Sequence, residues 1–363
     1  MADQVTNYQC PNCMGGLRFD TVAGLLVCDY CGNSFTIALV EQLFADKVQA
    51  ASSAGVQPRW DISLTNNFSP EEAAYMRGYI CPSCAAEIIC EYTTAATSCP
   101  YCGNPTVVPG QFAAGLKPDY ILPFKLDKNA AIEALKRYYN KKRFLDKSFS
   151  RDNHIDEIKG VYVPFWLYDA QTTASMRFTA TKERSHTSGG YTVTETDHYR
   201  VTRDGTIAFQ MVPVDASSKM PDAHMDSIEP YTYSDLRVFS LGYLPGFIAD
   251  KYDLDAQFCS IRANERIKNS TEEVMKNTMS EYTTVTLEHS DIRLNRGDVK
   301  YALMPVWLLS TRWKESTYLF AMNGQTGKLI GDLPVSKLMY FSKFMTIAAS
   351  IVAVVAALLY IFF

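Results

Sequence analysis

The sequence predicts an α+β chain built from two N-terminal zinc ribbons, a duplicated α+β domain and one C-terminal transmembrane helix. Three observations predict it. A set of four cysteines recurs at a constant offset, a Pro-x-Trp-Leu segment occurs twice with helix-forming sequence ahead of it, and the last twenty residues carry no charged side chain. The expected boundaries are 1–40 for ribbon one, 41–78 for a linker with short helices, 79–110 for ribbon two, 119–335 for the duplicated domain and 344–363 for the membrane helix.

The cysteines come first. Cys10-Pro-Asn-Cys13 is followed after fourteen residues by Cys28-Asp-Tyr-Cys31-Gly32, and Cys81-Pro-Ser-Cys84 after fourteen residues by Cys99-Pro-Tyr-Cys102-Gly103. Every position of the second set lies 71 residues after its counterpart (81 − 10, 84 − 13, 99 − 28, 102 − 31). Two residues between cysteines let one tight turn present two sulfurs to one ion, and a second such knuckle closes a tetrahedral site. The expected ligands are therefore Cys10, Cys13, Cys28 and Cys31 for one Zn²⁺, and Cys81, Cys84, Cys99 and Cys102 for a second. Four protein ligands leave no open coordination position, so both ions read as structural, contributing to the folding of ribbons too small to hold a core. A rubredoxin-type iron site shares the Cys-Pro-x-Cys knuckles, but its halves usually stand further apart. Cys90 and Cys259 fall outside the pattern and read as small buried hydrophobes.

Charge limits what the ribbons can bind. Residues 8–35 hold Arg18 against Asp20 and Asp29, and residues 79–104 hold Glu87 and Glu91 with no Lys or Arg. Four thiolates around Zn²⁺ add about two further negative charges to each ribbon. Phosphate neutralisation dominates nucleic-acid affinity, so the ribbons are expected to meet protein, with nucleic acid as the alternative. The net charge of −4 over 363 residues gives no general pull toward nucleic acid.

Between the ribbons, residues 36–50 are suited to a short helix, and Ser69-Pro-Glu-Glu72 is a capping box that starts another. In the third segment, Leu122-Pro-Phe124 precedes a helix from about Asn129 to Phe144 and then the strand-like Val161-Tyr-Val-Pro164-Phe-Trp166-Leu167. Leu244-Pro-Gly-Phe247 similarly precedes a helix opened by Ser270-Thr-Glu-Glu273 and then Tyr301-Ala-Leu-Met-Pro305-Val-Trp307-Leu308. A proline inside an apolar run argues for a strand start or edge, and the two tryptophans for equivalent core anchors. Residues 172–212 are expected to form long antiparallel strands, with Ser188-Gly-Gly190 and Asp204-Gly205 as turns. From Lys136 to Arg151, seven basic residues face Asp146 alone, which suits a solvated helix face or contact with anionic lipid headgroups.

The terminal run from Phe344 to Phe363 spans roughly 30 Å as a helix, the thickness of a bilayer's hydrocarbon core. Lys337 and Lys343 precede it and no Lys or Arg follows. The expectation is a single-pass tail anchor with residues 1 to about 340 in the cytoplasm, where reduced thiols serve as metal ligands and not as disulfides. No catalytic constellation appears. His154, His186, His198, His224 and His289 stand in no ligand spacing. Asn323-Gly-Gln-Thr-Gly-Lys328 lacks the glycine spacing of a phosphate loop and reads as a hairpin turn.

Together the twin ribbons, the Tyr162-to-Ala170 segment, Leu303 to Trp313, Phe320 to Pro334 and the terminal apolar helix resemble a bacterial family of membrane-tethered, TFIIB-type zinc-ribbon-containing, YdjG-like proteins. The resemblance implies a non-enzymatic adaptor at the bacterial cell membrane, similar in setting to proteins that recruit SPFH-domain or PspA-like scaffolds during envelope stress. It assigns no partner-binding residue. The alternatives are a nucleic-acid-binding ribbon protein or an enzyme of unknown chemistry in residues 119–335.

Overall fold

The fold is taken from a computed structural model that describes residues 10, 17–20, 25–28, 32–40, 42, 60–62, 67–91, 98–104, 107–110, 116–142, 145–146, 149, 155–314, 316–334 and 336–362. It is a mixed α+β chain. Near the N-terminus β1 (Leu17–Asp20), β2 (Leu25–Cys28) and β3 (Ser34–Phe35) form a three-stranded antiparallel sheet. A twelve-stranded sheet takes the remaining strands. In chain order these are β4 (Trp60–Asp61), β5 (Met76–Ile80), β6 (Glu87–Glu91), β7 (Val108–Gly110), β8 (Tyr120–Ile121), β9 (Lys159–Ser188), β10 (Tyr191–Asp215), β11 (Arg237–Val238), β12 (Ile248–Asp250), β13 (Thr284–Trp313), β14 (Ser316–Asn323) and β15 (Leu329–Gly331). The helices are α1 (Pro70–Ala74), α2 (Lys128–Asn140), α3 (Asp222–Ile228), α4 (Ala256–Asn277) and α5 (Lys337–Phe362).

At the centre β9 and β13, thirty residues each, pair antiparallel from Lys159↔Leu308 to Thr181↔Thr284. Two equivalent halves meet at the pair Val163↔Met304. On β9's outer side β12 runs parallel at Val161 and Tyr162; on β13's outer side β8 runs parallel at Ala302 and Leu303. The Trp166 indole Nε1 donates to the Leu254 carbonyl at 2.9 Å, and Trp307 Nε1 to Leu126 at 3.0 Å. Each of those leucines directly precedes an N-cap: Asp127 accepts from the Ala130 amide and Asp255 from the Phe258 amide. Phe124 meets Trp307 edge-on at 5.2 Å, and Tyr252 meets Trp166 in the same way at 5.2 Å. The true counterpart of Phe124 is therefore Tyr252, not Phe247 as the sequence match suggests. Phe247 instead stacks flat on Phe124 at 4.2 Å, in space left open because Gly160 has no Cβ.

Pro164 and Pro305 lie in the middle of β9 and β13, not at a strand start or edge. Their positions explain the tolerance. On the outer side of β9 the neighbour changes there, from β12 at Tyr162 to β10 at Phe165. On β13 it changes from β8 at Leu303 to β14 at Val306. The Pro164 carbonyl accepts from the Ala216 amide and the Pro305 carbonyl from Gly324, so each missing N–H faces the gap between two neighbours and costs no ladder bond.

Both faces of β9 are covered from Gly160 to Tyr168, which is why that part reads as an uninterrupted apolar run. Val161, Val163, Phe165 and Leu167 share one core with Ala302, Met304, Val306 and Leu308, closed by Met225 and Ile228 of α3. On the other face Tyr162, Trp166 and Tyr168 join Ala263 and Ile267 of α4, while Trp307 and Leu309 join Ala131, Leu135 and Tyr139 of α2.

Several expectations need correction. Asp204-Gly205 is no turn: Gly205 pairs with Ala174 inside β10, and a Cβ there would stand 3.4 Å from Met275 of α4. The reversal is at Gly189 and Gly190, both with positive φ, as a two-residue hairpin requires. Ser270-Thr-Glu-Glu273 opens no helix, because α4 already runs from its cap at Asp255, and the Thr271 hydroxyl bonds back to the Ile267 carbonyl at 2.7 Å. The stretch 41–78 is not all linker: Trp60 pairs with Gly297, is buried, and meets Tyr168 edge-on at 4.7 Å. The capping box at Ser69 forms as expected, with Glu72 answering the Ser69 amide at 3.0 Å. Of the helix expected over 36–50, residues 37–40 and 42 are helical, residue 36 is not, and 41 and 43–50 lie outside the described residues. Among the described residues no helix is long and apolar enough to cross a membrane. The described side chains of α5 end at Val352, so the remainder of the expected span, 353–363, lies outside them.

Two tests follow from this packing. Trp166→Phe and Trp307→Phe should each lower unfolding free energy by about 1–2 kcal/mol, because each strands a carbonyl that the indole satisfies. Their effects should add in urea unfolding of the full chain in detergent, since the residues share no partner. Gly297→Ala should destabilise by roughly 1–3 kcal/mol, since its Cβ would fall 2.3 Å from the Trp60 ring, and most of that loss should vanish in a Trp60→Ala background.

Candidate metal centre

Cys81 and Cys84 stand on the turn between β5 and β6, and Cys99 and Cys102 on a second turn ahead of β7. Each turn folds because its backbone closes on itself. The Ala85 amide donates to the Cys81 carbonyl at 2.8 Å and the Cys81 amide to Ala86 at 3.0 Å. In the second knuckle the Gly103 amide reaches the Cys99 carbonyl at 3.2 Å and the Cys99 amide reaches Asn104 at 2.9 Å. The residue after each second cysteine turns back with positive φ: Ala85 at 55° and Gly103 at 69°. Glycine meets that demand without strain in the second knuckle, and alanine bears it in the first.

The four sulfurs all lie within 4.8 Å of one another, with Cys81 to Cys102 and Cys84 to Cys99 each at 3.6 Å. A Zn²⁺ ion with bonds of about 2.3 Å to a sulfur tetrahedron sets an edge of roughly 3.8 Å. The residues fit the ion. The sulfurs share protons unequally: hydrogen bonds from Cys84 and Cys99 hold Cys102 far below an ordinary thiol, while its bonds to Cys102 and Cys99 push Cys84 up. The Cys99 thiol is pushed up to about 12, first by its bond to Cys102. Backbone amides favour the charged form at three of the sulfurs, with Ala86 acting on Cys84, Asn104 on Cys102, and Cys102 and Tyr101 on Cys99. Such amides are the outer-shell donors a thiolate–metal site needs.

Ribbon two is not a separate bead. β6 pairs with β12 at Ile88↔Asp250 and Ile89↔Ala249, so the ribbon extends the main sheet through β12 to β9. Cys81, Cys99, Tyr101 and Ile88 are buried in the core of the β9–β13 face, and Lys251 pairs with Glu87 at 2.9 Å. Lys159, at the start of β9, donates to the carbonyl and hydroxyl of Ser98, beside Cys99. Burial lowers the Lys159 ammonium, opposed by the negative charge of Cys99. This cation behind the second knuckle partly offsets the negative charge of a four-thiolate centre. Sequence spacing could not reveal it, since Lys159 follows Ser98 by 61 residues and no local motif marks it.

The other expected set is seen only in part. Cys10 and Cys28 are buried, and Cys13 and Cys31 lie outside the described residues. The Cys28 knuckle repeats the bonds of the Cys99 knuckle: Gly32 amide to Cys28 carbonyl at 2.9 Å, and Cys28 amide to Asn33 at 2.9 Å, with Gly32 at φ 73°. Cys90 and Cys259 are both buried, and the Cys259 thiol lies 3.6 Å from the Asp215 carbonyl. His186, His198 and His289 are exposed, His224 is buried near Asp332, and His154 is outside the described residues. Asn323 ends β14 with its side chain buried, its Oδ1 accepting from the Gln325 and Thr326 amides, both at 2.9 Å, so Asn323–Lys328 is a structural turn.

Across 333 residues, 92% of this chain and 91% of the relative, the sequence is 32% identical to a Bacillus subtilis (strain 168) protein described as "Uncharacterized protein YdjG". The chain belongs to the family of that protein. No family model matches the sequence, and no solved structure matches it.

Two measurements address the centre. Cys84→Ser should lower bound zinc by one equivalent per chain in metal analysis, and reduce unfolding free energy by on the order of several kcal/mol, because metal binding is part of folding. Asp250, which packs against Tyr101, is pushed up to about 7 by burial. The folded chain holds that proton to higher pH than the unfolded chain does. The associated stability is complete below about pH 4 and is lost as pH rises through 7, a slope that Asp250→Asn should flatten in pH-dependent urea unfolding.

Proposed function

We propose that this member of the YdjG family is a zinc-stabilised adaptor tethered by its C-terminal helix to the bacterial cell membrane, with its bulk in the cytoplasm. The observation that carries the reading is α5. Phe341, Phe344, Met345, Ile347, Ile351 and Val352 are between 50% and 67% exposed along it, an apolar surface with no covering element among the described residues. What supports the span is the sequence of its second part, since Phe344 to Phe363 carries no charged side chain over twenty residues, the length that roughly 30 Å of bilayer core asks of a helix.

Structural metal, not catalytic metal, fits the adaptor reading, because four cysteines leave no position for substrate. The outward side of ribbon two leaves Tyr75, Ile80 and Val108 exposed near the sheet's end strands β5 and β7, a surface suited to holding a protein partner. The partner class implied by resemblance is an SPFH-domain or PspA-like scaffold.

Affinity purification of the cross-linked, full-length protein from detergent-solubilised membranes tests both parts. The tether predicts that the chain stays in the membrane fraction through alkaline carbonate washing. The adaptor role predicts a protein partner that is recovered with the wild type and lost with Cys84→Ser. A chain released by carbonate refutes the tether, and a partner retained without the ribbon ligands refutes the adaptor role.

A further inference from the structure

Helix α2 is amphipathic. Ala131, Leu135 and Tyr139 are buried, while Lys136, Arg137, Lys141 and Lys142 are exposed. What the helix packs against fixes where this basic face points. The Tyr138 hydroxyl donates to the Gly331 carbonyl at 3.0 Å, and the Asp146 amide to the Pro334 carbonyl at 3.4 Å. Helix α5 starts at Lys337, three residues after Pro334 and six after Gly331. Six residues reach at most roughly 20 Å when fully extended, so the basic face of α2 lies beside the root of the apolar helix.

A second strand of the fold brings another cation to the same place. Lys314, on the turn from β13 to β14, lies over the Trp313 ring at 4.0 Å and 3.6 Å from Asp146, with 65% of its side chain exposed. Lys142 lies over the Tyr138 ring at 4.7 Å. Three acids face or adjoin the group. Glu133 pairs with Lys136 at 3.2 Å, Asp146 is taken by Lys314, and Asp332 lies 3.6 Å from His224. Five basic side chains, Lys136, Arg137, Lys141, Lys142 and Lys314, thus stand against three carboxylates on this surface. Lys343, one turn inside α5, adds to the same sign.

We propose that this surface binds anionic lipid headgroups, so that α2 and the β13–β14 turn press the domain onto the leaflet from which α5 departs. The inference rests on the tether proposed above. Charge complementarity and proximity select the occupant: a basic surface beside a membrane helix meets the headgroup layer before it meets any soluble partner. The Lys142 and Lys314 ammonium groups rest over the Tyr138 and Trp313 rings, so each cation stands beside an aromatic side chain of the kind that favours the interface.

The test is a lysine footprint. Full-length protein is reconstituted into phosphatidylcholine vesicles, or into vesicles with three-tenths phosphatidylglycerol, and labelled with a membrane-impermeant acetylating reagent. Labelling at Lys136, Lys141, Lys142 and Lys314 is read by mass spectrometry relative to Lys268 and Lys276, exposed on the distant α4. The expected result is at least a threefold fall at the four lysines in the anionic vesicles, reversed by 0.5 M salt. In Lys136→Gln/Arg137→Gln, protection of Lys141, Lys142 and Lys314 should weaken at least twofold. Equal labelling in both vesicle types, with the protein still resistant to carbonate, overturns the headgroup site and leaves the tether standing. Release by carbonate overturns both.

Discussion

The twelve-stranded sheet and the cores on its faces hang on the pairing of β9 with β13. The two thirty-residue strands supply the central ladder and the inner face of every core around it. Because the halves meet at Val163↔Met304, each indole–carbonyl bond, each aspartate cap and each parallel outer strand occurs in a matched pair. The prolines belong to the same arrangement. Each sits where its strand changes neighbours, the one interior position at which a residue without an N–H leaves no buried acceptor unanswered.

The metal centre depends on that frame from outside. A ribbon of this size cannot bury enough surface to be stable alone. Here it draws on two supports: the ion its sulfurs fit, and a place at the end of a large sheet, where Ile88, Cys99 and Tyr101 enter a core built by β9 and β13. Lys159 joins the two electrostatically, since it begins β9 and ends at the Ser98 carbonyl. Metal loss would therefore be felt in the sheet, through β12, and not only in the ribbon.

Much of this was legible in the sequence, for physical reasons that differ between elements. The Cys81–Cys102 set could be read because metal geometry restricts spacing to a few residues. The Ser69 cap could be read because its two hydrogen bonds are local. The twofold repeat showed in Pro-x-Trp, where both residues answer the same strand environment, but the sequence match was out of register at Phe247, because the equivalence is set by backbone pairing at β8 and β12. The same limit explains Asp204-Gly205 and Ser270-Thr-Glu-Glu273. Each is a sound local signal overridden by long-range structure: Gly205 is held inside β10 by its pairing with Ala174, and α4 has already begun at Asp255. Trp60 was hidden in a polar stretch, since only Gly297, more than two hundred residues later, makes room for it.

The equivalence of β8 and β12 has a further consequence. Each is a short strand, parallel to its inner neighbour, whose outer side takes an antiparallel partner, so the frame offers two like docks. At β12 the dock is taken by β6 of the ribbon; at β8 it is closed by the two residues of β11, with Val238 left 76% exposed. Without that plug, a ribbon from another copy would find the same landing place as the chain's own, and copies would have a way to concatenate. With β11 in place, the chain's own residues occupy both docks, the ribbon at β12 and a two-residue strand at β8.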